Sequence, residues 1–573
     1  MQNPDVARVF DEVADLLEIQ GANEFRVRAY RNAARTLRDY PEPLEEQVRA
    51  GAKLTEIPGV GKDLAEKIAT IVRTGTLPLL KELTAELPEG LLDLLRIPAL
   101  GPKRVKQLYE VLEVQSAADL TKALDDGRVL ELPGFGEKMV QKIRAGLPRA
   151  AHVERRFLLH DIEVHVEAIV KWMRAGGGLK QVEVAGSYRR RRETVGDLDI
   201  LVTAADGARA VERFTKYPDV AEVQAEGPTR ATVKLRGGLQ VDLRAVEPAA
   251  YGAALMYFTG SKAHNVELRK IAQAKRLKLN EYGLFRGNTR VAGKTEKEIY
   301  AKLGLEMIPP ELREARGEIA LARSGELPHL VELRHIKGDM QLHTDATDGK
   351  NTMQEMVDAA RKRGYAYLAV TDHSKRVTMA LGLDPKRLRA QWRAIDKLNA
   401  RLDGFRVLKS VELDILENGT LDLPDDVLAE ADYVVATIHY GLDQPEAKIT
   451  ERLLTAVTHP WVDAIGHPTG RIVGERESYR VDFEAVAKAA AREGCLLELN
   501  GSERMDLPDT LASAAKRHGV RFVCSTDAHS TQELGFMRFA VDLARRAGLE
   551  PRDVVNTYPL EKLRGALKRG RRR

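Results

Sequence analysis

The spacing of apolar residues divides the chain into stretches of different predicted structure. Over the first 150 residues apolar positions recur every three or four residues, which predicts helices. Short β-rich runs begin at Lys180, among them VEVAGSY and LQVDLRAV, and indicate a mixed α/β unit. Helical spacing returns from Tyr251 to about Arg313, with a hairpin predicted at LNEYGLFRG. Beyond His335 strand-like runs alternate with helical segments, so we expect a multidomain α+β and α/β chain that ends in a barrel-like (β/α) domain.

A motif of similar sequence occurs three times in the helical stretch. It reads IPGVGKDLAEKI from Ile57, IPALGPKRVKQL from Ile97 and LPGFGEKMVQKI from Leu132. In each copy a glycine-containing turn opens an amphipathic helix, so free backbone N–H groups at the helix end can bind a nucleic-acid phosphate. The motif resembles the helix-hairpin-helix, which binds the DNA backbone independently of sequence. The glycines expected at the phosphates are Gly59, Gly61, Gly101, Gly134 and Gly136. The alternative is three packing units with glycine caps.

Composition limits the class of protein. The 573 residues carry a formal net charge of +5, which is too small for a histone-like protein and compatible with local nucleic-acid-binding patches. The two cysteines, Cys495 and Cys524, are far apart, which excludes a disulfide scaffold and a cysteine-ligated zinc module. No run reaches the ~18 apolar residues of a membrane span, and the first residues lack the apolar core of a secretory signal. We therefore expect a cytoplasmic protein with no membrane partner.

Three aspartates form the first group of candidate catalytic residues. Asp197 and Asp199 lie two residues apart on a predicted strand, so both side chains point to one face. Asp242 lies on another strand-like run and can complete the group. Carboxylates that meet in this way suit Mg²⁺, and a pair of ions would stabilise both oxygens of an in-line phosphoryl transfer. The alternative for the D-x-D sequence is a strand end with solvated acids.

Residues 1 to 313 resemble the family X DNA polymerases of the nucleotidyltransferase superfamily, through GSYRRRRETVGDLDIL, the VDL run and YFTGSKAHN. The resemblance implies that Asp197, Asp199 and Asp242 bind Mg²⁺ or Mn²⁺ and that Asp242 helps activate the primer 3′-OH. It further implies triphosphate binding at Gly186, Ser187, Arg190 and Gly196, sugar and base contacts at Tyr257, Phe258, Gly260 and Asn265, and a template contact at Arg269. Gln240 and Lys262 depart from the family pattern, which can change nucleotide affinity.

A lysine in the first repeat matches a second site of that family. The resemblance implies that Lys67 is a Schiff-base lysine that removes a 5′-deoxyribose phosphate, with Tyr30 in the same pocket. A nucleophilic lysine must be neutral, which requires a lowered pKa. Asp63 lies one helical turn before Lys67 and can pair with it, which would keep the amine charged. A surface lysine near DNA phosphate is therefore an equal alternative.

Histidines and acids follow successive strand-like runs after residue 335. This pattern resembles the PHP (polymerase and histidinol phosphatase) domain, a metal-dependent phosphoesterase. The resemblance implies three metal sites, two of which share one glutamate: His343, Glu412 and Asp527; Glu412, His439 and His467; Asp348, His373 and His529. Mixed imidazole and carboxylate ligands suit Mn²⁺ or Zn²⁺.

One position departs from the PHP pattern. The family opens with H-x-H, whereas this chain reads Gln341-Leu342-His343. An amide binds Mn²⁺ or Zn²⁺ less well than imidazole, so we expect a weakened first site. A structural domain with reduced catalysis is the alternative.

These observations predict a monomeric DNA polymerase of family X that fills short gaps in repair, with dNTPs and gapped or nicked DNA as partners. The PHP domain would supply a Mn²⁺-dependent 3′–5′ exonuclease. Two alternatives are a phosphoesterase whose polymerase half positions DNA, and a non-catalytic DNA-binding scaffold. The expected domains are lyase-like 1–85, fingers-like 86–150, palm 151–248, thumb 249–315, linker 316–334 and PHP 335–573.

Overall fold

The computed structural model describes residues 3–38, 40, 42–88, 90–95, 97, 100–150, 156–204 and 206–568. The chain forms two compact units. Met1–Ala185 and Thr194–Pro248 make up the first, and Gly186–Glu193 and Ala249–Arg573 make up the second. The short segment Gly186–Glu193 thus belongs to the second unit, although the residues on either side of it in sequence belong to the first. No helix among the described residues is long and apolar enough to cross a membrane.

The N-terminal part of the first unit is helical, as its apolar spacing predicts. On the first helix, Phe10, Val13 and Leu17 recur at this spacing and are fully or almost fully buried. Buried apolar residues from Val6 to Leu147 form one continuous core. The helices are α1 (Asn3–Ile19), α2 (Glu24–Arg38), α3 (Leu44–Ala50), α4 (Lys62–Thr74), α5 (Pro78–Glu86), α6 (Gly90–Leu94), α7 (Pro102–Leu112), α8 (Ala117–Asp125) and α9 (Glu137–Ala150).

A five-stranded mixed sheet completes the first unit. Its strand order is β2-β4-β7-β6-β5, and β4 and β7 are its one parallel pair. The elements are β1 (Phe157–Leu158), α10 (Leu159–Ala175), β2 (Leu179–Val184), α11 (Gly186–Arg189, in the second unit), β3 (Thr194–Val195), β4 (Asp197–Ala204), α12 (Gly207–Thr215), β5 (Val220–Gly227), β6 (Arg230–Leu235) and β7 (Gln240–Val246).

The second unit continues with helices around a three-stranded antiparallel sheet. The predicted hairpin is confirmed, since Asn280 pairs with Gly283 across it. The elements are α13 (Tyr251–Thr259), α14 (Lys262–Ala274), β8 (Lys278–Asn280), β9 (Gly283–Arg286), β10 (Thr289–Ala292), α15 (Glu296–Leu303) and α16 (Glu318–Ser324). Helix α16 lies in the range 316–334 that the charged sequence predicts as a linker. The structure differs from that prediction because Ile319 and Ala322 join the apolar core of this region.

The C-terminal region is a nearly closed parallel barrel, which confirms the predicted barrel-like class. Its seven strands follow one another in sequence order, all parallel. An isolated parallel bridge between Leu342 and Ala528 joins residues just beyond the first and last strands. The elements are β11 (Gly338–Asp339), α17 (Met353–Lys362), β12 (Tyr367–Val370), α18 (Pro385–Asn399), β13 (Arg406–Asp414), α19 (Asp425–Leu428), β14 (Tyr433–Thr437), α20 (Glu446–Thr458), β15 (Ala464–Ile465), α21 (Phe483–Glu493), β16 (Leu496–Asn500), α22 (Asp509–Arg517), β17 (Phe522–Ser525), α23 (Met537–Arg546) and α24 (Leu560–Ala566).

Candidate active sites

The three aspartates predicted at a polymerase site lie on two neighbouring strands of the first unit. The parallel register of β4 and β7 places Asp199 beside Asp242, and Asp197 beside Gln240. Asp242 accepts hydrogen bonds from Thr232 Oγ1 and, at 2.9 Å, from Gln240 Nε2. Among the described residues, the oxygens of the three aspartates are not all within 4.8 Å of one another. The strands therefore bring the carboxylates to one face without closing them into a metal cluster.

Most residues predicted at the triphosphate belong to the second unit. Gly186 and Ser187 open α11, and Arg190 follows it, whereas Gly196 precedes β4 in the first unit. Arg190 Nε donates to Glu314 Oε1 at 3.1 Å, and its Nη1 donates to Thr259 O. Burial lowers the pKa of this guanidinium. Arg190 is thus held by neighbouring residues of its own unit.

The residues predicted at the sugar and base lie along α13 and α14. Tyr257 and Phe258 are in edge-to-face contact, with ring centroids 5.1 Å apart. Gly260 has a φ of +69°, a conformation that favours glycine. Asn265 Nδ2 donates to Tyr257 O at 2.7 Å, and Arg269 Nε donates to Asn265 O at 3.3 Å. These contacts connect the two helices through the predicted base-contacting amide.

Eight predicted metal ligands of the barrel lie on or just beyond its parallel strands. Glu412 is on β13, while the other seven follow β11, β12, β14, β15 or β17. Because parallel strands of a barrel end at one face, residues distant in sequence meet there. They are His343, Asp348, His373, Glu412, His439, His467, Asp527 and His529.

Glu412 lies at the centre of this cluster and is almost fully buried. Its Oε2 is 3.2 Å from His343 Nε2, and its Oε1 is 3.1 Å from His467 Nε2 and 3.3 Å from His439 Nε2. His343 Nε2 also lies 3.1 Å from Asp527 Oδ1. His343, Glu412 and Asp527 thus form one group with the composition that the family resemblance implies.

The two other groups of candidate metal ligands differ in membership from the predicted sets. Asp348 Oδ2 lies 3.4 Å from His373 Nε2 and 3.5 Å from His529 Nε2, and His343 joins this group as a fourth member. Around His439, the group is completed by Glu412 and His373, in the place predicted for His467. His373 therefore lies between two sites, since its Nδ1 is 3.3 Å from Glu412.

Five protein-family models match separate stretches of the chain. The matching family models are a helix-hairpin-helix domain (residues 1–77), a SAM-like helix-hairpin-helix tandem (91–147), the DNA polymerase beta palm (158–233), the DNA polymerase beta thumb (254–314) and a PHP domain (339–502).

Curated relatives agree with these matches. The DNA polymerase/3′-5′ exonuclease PolX of Bacillus subtilis is 37% identical over 99% of this chain and 100% of that protein. The chain belongs to the bacterial family X DNA polymerases that carry a PHP domain. A probable phosphatase of Acetivibrio thermocellus is 31% identical, but it covers 41% of this chain and 96% of its own length. One from Syntrophotalea carbinolica is also 31% identical, over 39% of this chain and 92% of that protein.

The PHP cluster of this family X polymerase has the donor set of a metal centre. Buried polar atoms need partners, and several here have none among the described residues. Both amide atoms of Gln341 and the Oε1 of Glu498 lack hydrogen bonds, and both residues are fully buried. A Cβ on Gly466 would lie 3.1 Å from Gln341 Oε1, which places the amide beside the residue before His467. The departure from H-x-H thus leaves an unsatisfied amide next to the cluster.

Protonation in the cluster reflects competition between burial and close contacts. Burial favours neutral imidazole, but contacts with Asp527 and Glu412 raise the pKa of His343 well above its usual value. Against burial, Asp414 and Glu412 raise the pKa of His439 to about 9. Burial and then Arg504 lower the pKa of His467 to about 4. Metal binding would displace the protons that some of these imidazoles hold in the metal-free chain.

Sequence reasoning missed polar residues that hold the ligands. Asp414 Oδ1 lies 3.2 Å from His439 Nδ1, Asn500 Nδ2 donates to Asp527 Oδ2 at 3.2 Å, and Arg504 Nε lies 3.4 Å from the same oxygen. Such outer partners fix the orientation of a ligand. The position of Asp414 two residues after Glu412 on one strand was a usable signal, because it follows the same alternation as the palm aspartates.

The repeat glycines of this polymerase open helices as predicted. Gly61, Gly101 and Gly136 directly precede α4, α7 and α9. Gly59 and Gly134 have φ values of +75° and +84°. A Cβ at any of these five glycines would have no atom within 4 Å, so each turn is open on its outer side.

The second copy of the repeat differs from the other two at one turn position. At the position that corresponds to Gly59 and Gly134, the second copy has Ala99 instead of glycine. A side chain disfavours the positive φ that Gly59 and Gly134 adopt, so alanine is not equivalent to glycine at such a turn. Ala99 lies outside the described residues. The second copy therefore contributes Gly101 alone to the predicted DNA contacts.

Lys67 of the first repeat is paired. Its Nζ donates to Asp63 Oδ2 and lies 5.6 Å from the ring centroid of Tyr30. Burial favours the neutral amine, but the hydrogen bond to Asp63 and the nearby Tyr30 hydroxyl outweigh it and raise the lysine pKa. The amine is therefore charged, as the alternative interpretation of this helix expects.

Proposed function

We propose that this chain is a DNA-directed DNA polymerase that fills short gaps during base-excision or break repair, with a 3′–5′ exonuclease in its PHP domain. The observation that carries the proposal is the register of β4 and β7, which sets Asp199 beside Asp242 in a chain of the family X fold. Gapped or nicked DNA and dNTPs are its proposed partners, and we propose a monomer that acts in the cytoplasm.

In this proposal different residues of the chain have separate roles in the polymerase reaction. Asp197, Asp199 and Asp242 hold Mg²⁺ or Mn²⁺, which when bound neutralises charge on the transferred phosphoryl group. Gln240 supports the proposal, because its amide donates to one oxygen of Asp242 and so fixes the orientation of the carboxylate. The open glycine turns hold the DNA backbone without reading its bases.

The proposed nuclease uses the barrel cluster with Mn²⁺, or Zn²⁺, as cofactor. Its support is the gathering of imidazoles and carboxylates around Glu412 and the unsatisfied amide of Gln341. Such ions activate water and polarise a phosphodiester when bound. The chain's own part is to orient the ligands through partners such as Asp414 and Asn500.

A primer-extension and primer-degradation assay on gapped DNA, with Mg²⁺ and Mn²⁺ separately, tests both activities. Asp199→Ala should lose extension and keep degradation, and His467→Ala should do the reverse. Asp206→Ala is the matched control for the first, since Asp206 caps α12. His518→Ala is the control for the second, since His518 belongs to none of the metal-ligand groups among the described residues. Extension that survives Asp199→Ala would refute the polymerase proposal.

The assay also separates the rival functions. If degradation is rapid and extension is absent in the unaltered protein, the chain is a phosphoesterase whose polymerase half positions DNA. If the unaltered protein shows neither extension nor degradation but still binds DNA, the chain is a non-catalytic DNA-binding scaffold. A lyase role for Lys67 remains a prediction, and its pairing with Asp63 argues against a ready nucleophile.

A further inference from the structure

Four consecutive arginines follow Ser187 and Tyr188 in the short segment Gly186–Glu193, which we call the arginine segment. Most of the contacts that these arginines make are with residues distant in sequence. Arg189 forms a bidentate pair with Glu296, at 2.8 and 2.7 Å, and therefore anchors the segment to α15. Arg191 has a φ of +54°, an unusual value for a residue with a side chain. The segment is thus held in a defined conformation by partners far away in sequence.

Helix α23 of the PHP domain supplies two of those partners. Arg191 Nε and Nη2 lie 2.8 and 2.7 Å from Asp542 Oδ2. Arg546 Nη1 donates to the backbone oxygen of Arg190 at 2.7 Å. The end of one helix therefore binds the segment through both a side chain and the backbone.

Glu314 links the same helix to the predicted triphosphate-binding arginine. Its Oε1 accepts from Arg190 Nε at 3.1 Å and from Arg546 Nη1 at 3.2 Å. Arg546 Nη2 also donates to Asp509 Oδ2 at 2.6 Å. Arg190 and Arg546 thus share one carboxylate, and a change in either alters the charge that the other meets.

Because the contacts of Arg546 are buried, they strongly determine the position of the arginine segment. Arg546 is 5% exposed and Asp509 is 6% exposed, so little water is available to replace a lost partner. Removal of one member of a buried, hydrogen-bonded charge network leaves the others uncompensated and displaces them. Beyond α23, Arg471 Nη2 lies 2.7 Å from Glu193 Oε1 at the end of the segment.

We propose that α23 of the PHP domain positions the triphosphate-binding segment of the polymerase, with Asp542 and Arg546 as positioning residues for dNTP binding. This inference rests on the proposed polymerase function and adds a role of the PHP domain that is independent of nuclease chemistry. Arg190 reaches the triphosphate only if its backbone is held by Arg546 and its neighbour Arg191 is held by Asp542.

Steady-state extension kinetics of the full-length protein on gapped DNA, with dNTP concentration varied, test the inference. Asp542→Asn keeps the shape of the side chain and removes its charge, and Arg546→Ala removes the backbone contact. Each should raise the KM for dNTP about tenfold, the scale set by loss of one charge-assisted hydrogen bond, while kcat changes less than about twofold. Arg546→Lys should restore part of the lost affinity, because a charged donor is kept.

Arg545→Ala is the matched control. Arg545 precedes Arg546 on the same helix, but it contacts Glu311 and Val331 O and not the arginine segment. The KM of the Arg545→Ala variant for dNTP should equal that of the unaltered protein. Degradation of single-stranded DNA should be unchanged in Asp542→Asn, which separates positioning from general loss of the PHP fold.

The inference is overturned if Asp542→Asn and Arg546→Ala both leave the KM for dNTP unchanged, or if Arg545→Ala raises it equally. A double-mutant cycle between Arg191→Ala and Asp542→Ala is a second, independent test, because additive effects on KM would exclude coupling through this pair. In either case, loss of extension in Asp199→Ala would show that the polymerase proposal itself still stands.

Discussion

Position 341 allows a test in which one substitution separates metal binding from stability. The amide of Gln341 is fully buried and neither of its polar atoms has a hydrogen bond among the described residues. A buried amide whose polar atoms lack hydrogen bonds costs on the order of 1–3 kcal/mol. Gln341→Met keeps the length of the side chain and removes both groups. We therefore expect it to stabilise the metal-free PHP domain by about 1–3 kcal/mol, that is, to raise its Tm by roughly 2–10 °C.

The same substitution should weaken the nuclease, because thioether is a poor ligand for Mn²⁺. Thermal unfolding in a chelator measures the first effect, and calorimetric Mn²⁺ titration with a degradation assay measures the second. Gln391→Met is the matched control, because the Gln391 amide donates to buried Asp372 and its loss leaves that carboxylate short of a partner. It should therefore destabilise the metal-free protein.

Gln341→His tests the opposite direction. An imidazole in place of the amide should raise Mn²⁺ affinity and degradation rate together, by about tenfold or more, since even an outer partner of a ligand changes metal affinity on this scale. If Gln341→Met destabilises the metal-free protein as Gln391→Met does, the amide is already satisfied and our reasoning is wrong. If Gln341→His leaves both affinity and rate unchanged, the amide is an adequate substitute and the first site is not weakened.

Four further predictions concern other parts of the chain. Asp242→Ala should lower primer extension by on the order of 10³-fold or more, since it removes a charge worth several kcal/mol of barrier, and near-normal extension in a single-turnover assay would exclude the residue. Arg189 and Arg313 overcome burial and lower the pKa of Glu296 to about 2, so this group stabilises the second unit above its unfolded pKa near 4.5, and this stability is lost as the pH falls toward 2. Glu296→Gln should therefore cost on the order of 3 kcal/mol at pH 7 and less at pH 3 in denaturant unfolding; a cost independent of pH would contradict the assignment. Borohydride trapping on a 5′-deoxyribose phosphate end should be weak and should rise in Asp63→Asn, because the neutral amide no longer holds Lys67 charged, whereas equal trapping in Lys67→Ala would remove the lysine from the role. Binding to gapped DNA should fall steeply with salt and be nearly indifferent to sequence, and a strong preference between two sequences at fixed salt would argue against backbone binding through the glycine turns.

The sequence was sufficient for features that depend on local pattern. The glycines that open α4, α7 and α9 follow from backbone requirements at a helix start, and the alternation of Asp197 and Asp199 follows from strand geometry. The barrel was predictable because its strand-like runs alternate regularly with helical segments. In each case residues close in sequence carry the whole signal.

The remaining features depend on contacts that no local pattern encodes. Helix α16 reads as a charged linker, and its structure is decided by the burial of Ile319 and Ala322 against residues before it. The pairing of Arg191 with Asp542 joins positions 351 residues apart. The sharing of His373 between two ligand groups likewise depends on how strand ends converge in three dimensions.

Closure of the barrel by its first and last strands has a consequence for synthesis on the ribosome. His343 and Asp527 are in contact although 184 positions separate them, so this part of the cluster cannot form until almost the whole domain has been made. At about 5–20 residues per second, this interval lasts roughly 10–40 s, while the N-terminal helical core is already free to fold. Chains that terminate early would therefore carry DNA-binding repeats and palm strands without an assembled nuclease centre.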